Sequence, residues 1–209
     1  MKPDKQNTLY ANLMDEVKVR VDCIKSAAQG RMVYPTPIVR EFCYLQLRML
    51  CELIALSCLV AHGDITFLQP HKLGKSYSAN DILERLARLR EHFYPLAIIQ
   101  TFTPGPPRGF SIAVVEPSPL PKEELLKLYA DTHKYLHRGS LKKMLSMDTP
   151  IDITINMPDI VRWAQKINGL LSAHVITISA QKLILCSLRN KDDDDKVQVA
   201  TAEASLLKG

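Results

Sequence analysis

Apolar residues recur every three or four positions over residues 8–29, at Tyr10, Leu13, Met14, Val17, Val21, Ile24 and Ala28, which predicts a helix with one buried stripe. Gly30 supplies its stop. Pro35 and Pro37 then impose an extended connection, because proline fixes its own φ and disfavours the helical region for the residue before it. From about 37 to 62 the chain is apolar nearly all round, and this run predicts the long buried helix at the centre of the fold, ended by His62, Gly63 and Asp64. A polar loop over 64–77 follows. Ser78 with Asp81 three residues later forms a capping-box start for a third helix over 79–95, with Ile82, Leu83, Leu86, Leu89 and Phe93 facing inward and Pro95 closing it.

The pattern then changes. Residues 96–103 (LAIIQTFT) and 110–116 (FSIAVVE) predict two strands joined by the turn PGPPRG. A rigid PSPLP spacer leads into a fourth helix over 122–145, acidic at its start and basic at its end as the helix dipole favours. Residues 151–156 predict a short strand, 158–171 a helix with Pro158 in its first turn, and 174–188 further strand. A last strand, VQVAT, pairs back across the exposed loop RNKDDDDK, read as a hairpin loop. The fold class expected is α+β, mainly α: a helical bundle around a central buried helix, with small β-hairpin insertions and a C-terminal β extension. The division expected is residues 1–149 as a helical domain with a hairpin near 96–116, and 150–209 as a strand-helix-hairpin extension.

Composition narrows the function classes. With 209 residues, 46% of them hydrophobic, the chain can bury a core without staples. The net charge of +5 tolerates an anionic partner but lacks the dense basic footprint of a dedicated nucleic-acid binder. Five cysteines without a CxxC pair fit neither a zinc ribbon nor a disulfide scaffold, so a reducing, cytoplasmic setting is expected. Cys43, Cys51 and Cys58 share one face of the second helix, as packing residues do. The N-terminus has no signal-peptide pattern, and Arg48 and Glu52 interrupt the apolar run 47–60, so no membrane association is expected. Phosphate-binding, dinucleotide-binding and nucleophile-elbow motifs are absent from the sequence.

Candidate chemistry centres on two helices. His133 and His137 stand four residues apart on the fourth helix, with Arg138 beside the second. That spacing can bind zinc, but HKYLH lacks the glutamate of HExxH and no third ligand is apparent, so neither a metal nor any other cofactor is assigned. The pair can equally serve as acid and base near neutral pH, or be structural, flanking a core face made by Tyr129, Thr132 and Leu136. On the central helix Arg48 and Glu52 stand at i and i+4 in an apolar setting, where an unpartnered charge costs several kcal/mol. They are expected to pair with each other and to be engaged by a further element such as the fourth helix.

This order of parts, with Arg48-x-x-x-Glu52 on a central helix and YADTHKYLHRGS on a later one, resembles the HEPN superfamily of helical domains, common in bacterial defence and toxin–antitoxin systems. The resemblance covers roughly residues 8–145. In active members of that family, which cleave RNA without a metal, the later helix carries an arginine, a polar residue, three further residues and a histidine. His133 matches the polar position and His137 the final histidine, whereas Thr132 stands where the arginine is expected. A neutral threonine cannot stabilise developing phosphate charge. The resemblance therefore implies an RNA- or nucleotide-associated binding or regulatory protein with degenerate or lost ribonuclease activity. His133 and His137 are its catalytic candidates; Arg48, Glu52 and Arg138 are its binding candidates. The strands at 96–116 and 150–202 are not part of a minimal bundle of that family and are expected to make a small sheet used for pairing between protomers, so a homodimer is expected, while a protein-interaction or scaffold subunit that engages a partner protein is the other reading.

Overall fold

The computed structural model describes residues 3–63, 78–103, 109–136, 154–190 and 194–203. Among the described residues five helices and five strands follow in the order α1 (Pro3–Ala28), α2 (Thr36–Ala61), α3 (Ala79–Leu89), β1 (Leu96–Thr103), β2 (Gly109–Val114), α4 (Lys122–Leu136), α5 (Met157–Leu171), β3 (Ala173–Ser179), β4 (Lys182–Asn190) and β5 (Lys196–Glu203). The protein is a mainly helical α+β fold with a small antiparallel sheet.

The helix α2 lies at the centre, packed against α1, α3, α4 and α5. Its composition explains the placement: Leu47, Leu50, Cys51, Ile54, Ala55 and Cys58 are all fully buried. It is also long and apolar enough to cross a membrane, and 67% of its most apolar stretch is buried inside the molecule, as in a core helix. Burial pushes the Cys43 thiol up to about 11 and that of Cys58 to about 12, so these cysteines are packing groups.

Several boundaries differ from those the sequence predicts, each for a visible reason. The first helix begins at Pro3 rather than residue 8, because Gln6 and Asn7 have tertiary partners. The Gln6 amide donates to the Val60 carbonyl at 2.9 Å, capping α2, and Asn7 Oδ1 accepts from Thr201 on β5 at 3.2 Å. The capping box at Ser78 and Asp81 is present, but α3 stops at Leu89, where Arg90 turns extended (φ −144°, ψ 121°). The turn lets Phe93 reach the core and Tyr94 donate to the Leu120 carbonyl at 3.1 Å before the chain enters β1. Residues 154–156 are not strand: Thr154 accepts a hydrogen bond from Arg40, and the Asn156 side chain accepts from the Asp159 N–H as the cap of α5. The rest of that expected strand, 151–153, and the end of the expected fourth helix, 137–145, lie outside the described residues.

The continuous strand expected over 174–188 is a hairpin, since Ser179 pairs with Lys182 around Ala180 and Gln181. That dipeptide carries none of the usual two-residue turn chemistry. The strands β1 to β5 form one sheet in the order β2-β1-β3-β4-β5, which joins the 96–116 hairpin to the C-terminal segment through Leu96↔Val175 and Ala97↔His174. The aspartate-rich stretch does lie between two paired strands, and Asp194 and Asp195 there take positive φ.

Candidate functional site

Arg48 and Glu52 face α4, one helical turn apart on α2. Their side chains are 26% and 28% exposed, and Arg48 Nε stands 3.3 Å from Glu52 Oε1. The fourth helix contributes Tyr129. Its hydroxyl accepts from Arg48 Nη2 at 2.7 Å and donates to Glu52 Oε1 at 3.2 Å, while the guanidinium carbon lies 4.3 Å from the centre of its ring. One tyrosine thus closes the ion pair into a three-residue knot, using its hydroxyl in both directions and its π-face as well. Burial raises the Tyr129 pKa, against the lowering by the Arg48 charge, so the phenol stays protonated and able to donate.

The knot has neighbours on both helices. Tyr44, one turn before Arg48, stacks on Tyr135 of α4 with centroids 3.7 Å apart and planes within 3°. Thr132 is fully buried, and its hydroxyl donates to the Tyr129 carbonyl at 2.7 Å. His133 is exposed on α4, one turn beyond Tyr129. His137 and Arg138 lie outside the described residues. Of the five sequence candidates, then, Arg48 and Glu52 are brought together, and His133 is placed on the surface of the facing helix.

Tyr129 escaped the sequence reading, which placed it in the core by its spacing alone. A tyrosine facing an ion pair could have been suspected, since a buried phenol needs a polar partner. A second polar pair was wholly missed. Tyr10 on α1 and His174 on β3 are both fully buried, with Tyr10 Oη 2.6 Å from His174 Nε2 and His174 Nδ1 2.9 Å from the Leu171 carbonyl. The carbonyl can only accept, so Nδ1 carries the proton and Nε2 accepts from the phenol. Burial pulls the His174 pKa down to about 4 and pushes that of Tyr10 well up, so both are neutral at pH 7.

A cleft of about 760 Å³ opens between the C-terminal half of α1 and α5. At its rim Arg189 bridges Asp22 at 2.8 Å and Asp195 at 3.1 Å. Gln165 and Asn168 line its wall. Among the described residues no cluster of histidine, cysteine or carboxylate side chains is arranged to hold a metal ion. Comparisons with protein-family models, with curated proteins and with solved structures find no match to this chain.

Proposed function

We propose that this chain is a HEPN-like binding or regulatory protein, homodimeric and associated with RNA or a nucleotide, in which ribonuclease chemistry has been lost. The observation that carries the reading is the closure of Arg48 on Glu52 and Tyr129. A guanidinium held by a carboxylate, a hydroxyl and a ring serves the fold and is not available to organise a phosphate. Thr132, at the position where an active motif carries arginine, is buried and bonded to its own helix. Neither Arg48 nor the residue at position 132 then supplies a cation to assist His133 in cleavage. Exposed Arg85 and Arg88 on α3 offer a site for backbone phosphates instead.

Incubating the full chain with mixed RNAs, beside a His137→Ala variant, tests the loss of chemistry. Intact RNA in both is expected. Cleavage by the wild type that disappears in the variant would refute it. Binding is tested by RNA affinity at two salt concentrations: a salt-sensitive complex, weakened by the double change Arg85→Ala and Arg88→Ala, is expected. The second reading, a protein-interaction subunit with structural histidines, draws on the Tyr44–Tyr135 stack, which joins α2 to α4. It predicts no salt-sensitive RNA affinity at all.

A further inference from the structure

The hairpin β1–β2 forms one side of the sheet. Strand β1 pairs with β3 only at Leu96 and Ala97, whereas it pairs with β2 from Ile98↔Val114 to Thr103↔Gly109. Beyond Ala97 this arm pairs only within itself among the described residues; Ile98 at its base is buried against Val175 and Leu185, and β2 is an edge of the sheet. Both faces carry exposed apolar side chains, beside Gln100 on one and Thr101 and Ser111 on the other. Ile112 and Val114 on one face are 37% and 46% exposed, and Ile99 on the other is 60% exposed. From Leu96 to Val115 the sequence holds a single charged residue, Arg108. The edge strand β2 has none of the lysines, prolines or bulges that keep sheet edges from pairing.

We propose that this arm is a dimerisation element, with β2 pairing antiparallel to β2 of a second copy across a two-fold axis at Ile112. The proposal rests on the homodimer reading above and names its interface. The register follows from one hydrogen bond. The Val115 N–H donates to the Ala97 carbonyl at 2.8 Å, so the alternation along an antiparallel pair turns the backbone groups of residues 111 and 113 toward β1 and those of 112 and 114 away from it. Residue 112 then exchanges both hydrogen bonds with its own symmetry mate, and residue 111 stands opposite residue 113 in a non-hydrogen-bonded pair.

The occupant is a second copy because of charge. In any two-fold strand pairing a charged residue near the axis faces its own like charge, which is destabilising. Strand β2 carries no charge to be repelled. The rival surface, the exposed side of α2 at Ile38, Leu45 and Leu56, is interleaved with Glu41, Arg48 and Glu52 and suits self-pairing less well.

Sedimentation of the full chain over a range of concentrations, beside Ile112→Lys and Leu45→Lys, decides the matter. A wild-type dimer is expected. Ile112→Lys should weaken it by about tenfold or more while its thermal unfolding stays cooperative, and Leu45→Lys should leave it unchanged. Mild oxidation of the double variant Ser111→Cys, Ala113→Cys should trap a covalent dimer that the wild type does not form, an outcome independent of how Ile112→Lys folds. A dimer as tight in Ile112→Lys as in the wild type, or one lost only in Leu45→Lys, would overturn the arm and leave the homodimer standing. A wild-type monomer throughout would overturn both.

Discussion

The Tyr10–His174 pair and the Arg48–Glu52–Tyr129 knot both tie distant segments together through a tyrosine hydroxyl, yet they sit in opposite surroundings. The first is sealed from solvent and joins α1 to β3 with neutral groups. The second is about a quarter exposed and joins α2 to α4 with full charges. Where water is excluded, an imidazole keeps its place only by giving up its proton. Where water reaches the rim, a guanidinium and a carboxylate remain charged at modest cost because a third group completes their hydrogen bonds. The same phenol hydroxyl is an obligatory donor in one place and a donor–acceptor bridge in the other.

The largest effect belongs to the sealed pair. His174→Ala removes a buried side chain and the acceptor of the Tyr10 hydroxyl, and should cost about 3–5 kcal/mol in urea-induced unfolding. A cost no larger than that of an exposed substitution would mean that the pair contributes nothing. Next is its response to acid. The unfolded imidazole takes up a proton below its ordinary 6.5, the folded one only below about 4. Stability is therefore complete above pH 6.5, falls as the pH drops through that window, and has lost about 3 kcal/mol from this group once pH 4 is passed. Unfolding measured at pH 7, 5.5 and 4 checks the slope, which should be shallower in His174→Ala.

The two sites also differ in how far they could be read in advance. Arg48 and Glu52 stand out because charges at i and i+4 break an otherwise apolar helix, and their pairing and engagement by α4 follow from the cost of leaving them alone. His174 gives no such signal, since a histidine at the head of a strand looks like an ordinary boundary residue, and its partner is 164 positions away. The central helix and the Ser78 capping box were legible because periodicity and capping are local. The turn at Ala180–Gln181 and the start of α1 at Pro3 were not, because pairing across the sheet and the capping of α2 by Gln6 decide them. His137 and Arg138, on which the catalytic reading leaned, lie outside the described residues.

The smallest effect carries the central claim, that Arg48 is engaged by its own fold. A double-mutant cycle on unfolding free energy, with Arg48→Ala, Tyr129→Phe and both together, isolates the contact seen at 2.7 Å. Each single change should destabilise by roughly 1–2 kcal/mol, with a favourable coupling of about 1 kcal/mol between them. Strictly additive effects would contradict the closed knot and leave the guanidinium free for a ligand.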